Sequence, residues 1–168
     1  MTNRAIFNRK YTEFQPGDTP VFLVNGGGVT SSSPTSLVDF VAGADLIQGE
    51  VVYVSGVYAV PATAASGVDA AQHQAIGLTA EAAVQNATVS VNLDDIATVS
   101  AANITAGTAL VPGQYYYLSK SQGELTEFST ASGTVTAASG YASLVNLGLA
   151  ISSTALHVEI QPPVDLFS

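Results

Sequence analysis

Two stretches of this chain are built to one plan. Gly43 to Ser55 reads GADLIQGEVVYVS, and Gly107 to Ser119 reads GTALVPGQYYYLS. At a constant offset Gly43 matches Gly107, Leu46 matches Leu110, Gly49 matches Gly113, Tyr53 matches Tyr117 and Ser55 matches Ser119. Each opens on glycine, sets a leucine before a β-branched residue, turns at a second glycine, and enters a β-rich run ending in Tyr, aliphatic, Ser. A construction used twice restricts the fold, because whatever surrounds one copy must have a counterpart around the other.

The flanking segments meet that demand. After the first copy come an apolar run Val57 to Val60 stopped by Pro61, an Ala-rich loop Ala62 to Gln74 with room for one helical turn, and Ile76-Gly77-Leu78-Thr79. The turn-like Gln85-Asn86 then precedes Thr88 to Leu93, which alternates polar and apolar as a half-buried strand does, with Val89, Val91 and Leu93 on its apolar face. After the second copy come a hairpin signal Ser121-Gln122-Gly123, Leu125 to Phe128, and a Ser, Thr, Ala and Gly segment from Ser129 to Gly140. Leu144 to Ala150, carrying Gly148, and the alternating Leu156 to Ile160 complete it, with Pro162-Pro163 ahead of a tail from Val164 to Ser168. Val38 to Val41 and Ile96 to Val99 are short β candidates ahead of each copy. Helical periodicity has room only around Ala80 to Val84. Short strands at this spacing predict an all-β body of about ten strands, a β-sandwich or barrel-like fold arising by internal duplication. Its related halves span about 43–93 and 107–161 within a body at 37–168. Gly77 and Gly148, inside apolar strands, mark bulges or sharp bends.

Residues 1–36 differ in kind. Arg4, Arg9 and Lys10 alternate with the apolar anchors Ile6, Phe7, Tyr11 and Phe14; Pro16-Gly17-Asp18 is a turn, Val21 to Val24 a short β candidate, and Asn25-Gly26-Gly27-Gly28 and Ser31-Ser32-Ser33-Pro34 a linker. Such a composition predicts an extended N-terminal arm with something to bind.

Charge narrows the function. Four Lys and Arg stand against thirteen Asp and Glu, and 10% of residues are charged, where a globular domain ordinarily has about 25%. A surface so poor in charge fits a protein that packs against neighbours. Beyond Lys10 the sole base is Lys120, so the body repels phosphate and nucleic-acid binding is not expected there. The arm has no apolar stretch of signal-peptide type, and no run approaches the roughly eighteen apolar residues of a membrane span. Cysteine is absent, which removes disulfides, thiolate nucleophiles and Cys-based metal sites and is compatible with synthesis in a reducing cytoplasm.

Catalytic residues and cofactor or metal sites are not expected. His73 lies in a small-residue loop and His157 on the polar face of a strand beside Glu159, both read as solvated. Neither falls in a nucleophile-elbow or triad pattern. Glu124 with Glu127, or Asp94 with Asp95, supplies carboxylate pairs for carbohydrate chemistry, yet glycoside hydrolysis needs acids set across a cleft. Asn92, Asp94 and Asp95 lack the glycine-punctuated spacing of a calcium loop and read as a polar turn. Gly26-Gly27-Gly28 is not followed by the Lys and Ser or Thr of a P-loop. Asn86-Ala87-Thr88 and Asn103-Ile104-Thr105 match the glycosylation pattern by chance.

The run PGQYYYLS, the Gly-Glu-Leu-Thr hairpin, the small-residue loop and LGLAISSTALHVEI, together with LIQGEVVYVSG, AIGLTAEAA and TVSVNL in the first copy, resemble structural proteins of tailed bacteriophages, the capsid decoration or head-fibre type in particular. The resemblance covers residues 43–161. It implies a non-enzymatic virion protein on the capsid exterior, assembled in the host cytoplasm, that bridges subunits of the major capsid protein and associates with itself as a homotrimer. The long N-terminus departs from the simplest decoration proteins and leaves a tail-fibre, head-fibre or baseplate role in host attachment as the alternative. Partner-interface candidates are Arg4, Phe7, Arg9, Lys10, Tyr11 and Phe14 in the arm, and Tyr115, Tyr116 and Tyr117 in the second copy. At least one of the tyrosines is expected against the core and another at a subunit contact.

Overall fold

The computed structural model describes residues 36–105, 107–127 and 140–166. The arm, its linker and the β candidate Val21 to Val24 lie outside the described residues. The body is all-β, with twelve short strands among the described residues. Five build the first half: β1 (Leu37–Ala42), β2 (Val51–Ser55), β3 (Tyr58–Pro61), β4 (Gly77–Thr79) and β5 (Thr88–Asn92). They close into a barrel in the order β1-β3-β2-β4-β5, every pair antiparallel except the seam, where β1 runs parallel to β3 through Val41↔Tyr58 and Ala42↔Ala59.

The second half uses β6 (Ile96–Thr98), β7 (Tyr115–Leu118), β8 (Leu125–Glu127), β10 (Asn146–Ala150) and β11 (Ala155–Val158), after β9 (Ser143–Leu144) in chain order. Its sheet runs β6-β11-β10-β7-β8, the barrel's order with β6 for β1, β7 for β2, β8 for β3, β10 for β4 and β11 for β5. Even the seam has its counterpart. Ile104 makes a parallel bridge to Leu125, and the next N–H, of Thr105, donates to the Leu125 carbonyl at 2.8 Å. Gly43 N–H donates to Ala59 in the same way, also at 2.8 Å. A 3₁₀ turn, Ala101–Asn103, interrupts the second seam strand, which reduces that closure to one bridge.

The motif that announces each half is one turn built twice. Glu50 N–H donates to Ile47 and Gln114 N–H to Val111, with Gly49 and Gly113 in the left-handed region at φ +79° and +84°. Positive φ at that position of a type II turn is glycine's territory, and Pro112 presets the residue before it. The turning glycine then binds the strand next to the one it launches, Gly49 N–H to Thr79 of β4 and Gly113 N–H to Ala150 of β10, each at 2.8 Å. Leu46 and Leu110 are both buried.

The strand glycines serve close approach. A Cβ on Gly77 would stand 2.4 Å from the Asn92 carbonyl oxygen, and one on Gly148 2.0 Å from that of His157. Gly148 also sits where the register with β7 shifts, the bulge expected from the sequence. Alternation sorts the side chains of each strand. Val52, Val89 and Val91 fill the barrel with Ala42, Leu46 and Ala59. Val51 and Leu78 point the other way and join Tyr116, Leu118, Leu125, Leu147, Leu156 and Val158 of the second half in one continuous core.

Ala80 to Val84, where helical periodicity had room, takes no helix, and Ala83 bridges Leu46. Two expectations need correction. The segment after Pro162-Pro163 forms a last strand, β12 (Val164–Asp165), whose Val164 pairs with Leu144 of β9. His73 is buried rather than solvated: the Ala-rich loop folds as a 3₁₀ turn, Ala70–His73, capped by Asp69, and the ring turns back over the loop with Nε2 3.0 Å from the Ala65 carbonyl.

Candidate functional site: an exposed cross-strand row

The three tyrosines of β7 take three environments. Tyr116 is fully buried, and its hydroxyl accepts the Val111 N–H at 2.9 Å and lies 3.5 Å from Glu127 Oε1. Burial raises its phenol above the ordinary value; the Val111 bond opposes that shift, and the Glu127 carboxylate adds to it. Tyr116 is therefore a core residue, which removes it from the interface set. Tyr117 is half-buried. Burial and the neighbouring Tyr115 push its phenol up as well. Tyr115 is 47% exposed. The arm candidates Arg4, Phe7, Arg9, Lys10, Tyr11 and Phe14 lie outside the described residues.

Register assembles a site around Tyr115 that sequence order does not display. Tyr115 pairs with Leu149, Leu149 with His157, and His157 with Ile96. Directly opposed residues share a face of a sheet. The result is a row across four strands, Tyr115–Leu149–His157–Ile96, with Ile96 55% exposed, His157 exposed and Leu149 half-buried. The inward neighbours Tyr116, Ala150, Leu156 and Ala97 are all buried, so the row is the outward face of a well-anchored sheet.

The corresponding row in the first half is Val51–Leu78–Asn92–Leu37. There Val51 and Leu78 are fully buried by the second half. The hairpin of β7 and β8 makes much of that contact: Val51 N–H donates to Gly123, Gly123 N–H to Ala62, and Ala64 N–H to Ser119, at 2.9, 2.7 and 2.8 Å. Asn103 Nδ2 adds a bond to the Gln48 carbonyl at 2.6 Å. Glu50 is held in this contact with Oε2 accepting the Ile47 N–H, and burial raises its carboxyl above the usual range while that bond works against the shift. The same face is thus covered in one half and open in the other.

The other candidates are engaged structurally. Asn92 Oδ1 accepts the Asp95 N–H and its amide donates to Ile96, while Asp95 Oδ1 accepts the Ile96 N–H, as a polar turn between the halves requires. Glu124 accepts a bond from Thr105 Oγ1 at 3.0 Å, and Glu127 faces the Tyr116 hydroxyl. Among the described residues, no three His, Asp or Glu side chains come together as a metal-binding group. Lys120 Nζ lies over the Tyr141 ring, 5.9 Å from its centre. A shallow cleft of about 280 Å³ beside the β2–β3 hairpin is lined by Gly43, Ser55, Tyr58, Val60, Gln85 and Asn86. Compared with known proteins, this sequence matches no protein-family model and no curated protein.

Proposed function

We propose that this chain is a non-enzymatic structural protein of a phage virion that decorates the capsid, bridging subunits of the shell and associating with itself. The observation that carries this reading is the row Tyr115–Leu149–His157–Ile96, large side chains aligned on an outward sheet face that no strand among the described residues covers. Aromatic and aliphatic side chains on a rigid, low-entropy platform favour docking over chemistry. The scarcity of charge supports it, since 10% charged residues leave much of the surface without the solvation a free monomer uses. The carboxylates of Asp95, Glu124 and Glu127 are engaged within turns and strands, which also favours an interaction role. The resemblance of residues 43–161 to decoration proteins supplies the identity of the partner, the major capsid protein.

The test is co-sedimentation of the full chain with phage shells assembled without it, beside a chain lacking Met1 to Phe14 and a Tyr115→Lys chain. Binding by the full chain, lost on removal of the arm, is the expected result. Binding to host cells or purified glycans with no affinity for shells would replace decoration by the fibre or baseplate role.

A further inference from the structure

We infer that the open row Tyr115–Leu149–His157–Ile96 takes a second copy of this chain, which docks through the hairpin joining β2 and β3. Within one chain, the hairpin of the second half is bonded to Val51 at the start of β2 and to Ala62 and Ala64 just past β3, beside the row residues Val51 and Leu78 that the shared core buries. Pairing order and turn are the same in both halves, and one bridge of the seam is kept in the second, so the second half presents the corresponding face and the first half a shorter hairpin at the corresponding place. The hairpin is bonded to β1 through its backbone, yet among the described residues the Val57 and Tyr58 side chains, like Tyr115 and Ile96 of the row, stay exposed. The hairpin of the first half carries Val57, 65% exposed, and Tyr58, 43% exposed, beside Gly56. The longer hairpin of the second half, Ser119 to Glu124, carries small and polar residues and relies on backbone bonds through Gly123. The shorter tip thus presents apolar bulk to a row whose own members are apolar or aromatic apart from His157. Two unpaired apolar surfaces, each the counterpart of one side of an existing contact, are complementary to one another, and their union removes both from water.

Such a contact joins different surfaces on the two partners. It is heterologous and propagates from copy to copy until rotation closes a ring. This deepens the self-association proposed above and rests on that reading only for its place in a virion.

The experiment uses the full chain and two surface variants, Val57→Lys and Tyr115→Lys, followed by sedimentation velocity, with circular dichroism to verify that each folds. The wild-type chain should associate, and each variant alone should be monomeric. An equimolar mixture should form a heterodimer and nothing larger, because V57K retains an intact row and Y115K an intact hairpin. A monomeric wild type would overturn the inference, as would assembly by V57K alone or a mixture that stays monomeric. Shell co-sedimentation is read separately: shell binding by a chain that does not self-associate overturns this inference alone, and self-association without shell binding overturns the decoration reading alone.

Discussion

The hydroxyl of Tyr116 accepts a hydrogen bond from the backbone N–H of Val111 at 2.9 Å, so a core side chain reaches back to hold the turn that launches its own strand. Tyr116→Phe keeps the ring and loses this tie, at a cost of about 1 kcal/mol. Tyr116→Ala opens a cavity in the main core and should cost about 3–5 kcal/mol. Urea unfolding followed by tyrosine fluorescence separates the two, and a difference below about 1 kcal/mol between them would show that the ring does not pack as described.

That phenol also predicts an alkaline limit. Its folded-state pKa is raised above 10.0, so the folded chain holds the proton that the unfolded chain releases. The stability linked to it is present below pH 10.0 and falls as pH rises through the raised value. Tyr116→Phe should flatten the decline of melting temperature above that pH.

Glu50 gives the acid-side counterpart. Burial against the second half raises its carboxyl above 4.5, so its ionisation opposes folding at neutral pH. Because the folded state binds the proton more tightly, the destabilisation disappears as pH falls below the unfolded value. Glu50→Gln, whose amide oxygen can still accept the Ile47 N–H, is expected to melt higher than wild type at pH 7. That advantage should shrink on acidification toward pH 4; an advantage that does not change with pH would assign the effect to something other than ionisation.

The two motif glycines should respond unequally to one substitution. Gly113→Ala meets nothing within 4 Å and suffers only the left-handed backbone at φ +84°, about 1–2 kcal/mol. Gly49→Ala carries the same backbone penalty and also drives its Cβ to 2.5 Å from the Thr98 carbonyl oxygen and 2.8 Å from Val99 Cα. Overpacking of that kind adds about 1–3 kcal/mol. Thermal melts of the two variants should rank Gly49→Ala well below Gly113→Ala.

Gly148 is the position least open to change. Its φ of +144° and the His157 carbonyl oxygen 2.0 Å from an added Cβ leave no room for alanine. Gly148→Ala should cost at least about 3 kcal/mol, visible as loss of soluble protein or a collapsed melting temperature, while Gly107→Ala, with open space around it, should remain folded.

Most strands were readable because local chemistry and burial agree. Thr88 to Leu93 alternates, and Val89 and Val91 do face the barrel interior. Gln48-Gly49 and Pro112-Gly113 turn where the glycines say they must. What could not be read was non-local. Nothing near Leu37 announces that β1 will run parallel to β3, since parallel pairing leaves no turn in the sequence. Val164 follows two prolines that look terminal, and only the presence of Leu144 makes it a strand. The candidate row was half visible: three consecutive tyrosines marked the strand, but which of them faces out depends on register with Gly148 and Leu149, and the contribution of Ile96 and His157 depends on β11 and β6. The burial of His73 was not legible because composition shows a loop of small residues without showing that a 3₁₀ turn brings the ring back onto the Ala65 carbonyl.

The seam of the barrel also sets an order of events. β1 closes the first half by pairing with β5 and with β3, and it is made before either. The chain must therefore carry Leu37 to Phe40, which pair only with β5, unsatisfied until Thr88 to Asn92 exists, while the hairpin of β2 and β3 can form locally at once. Closure waits on the most distant pairing in that half, which places this protein among chains whose folding rate is governed by loop entropy and not by hairpin formation.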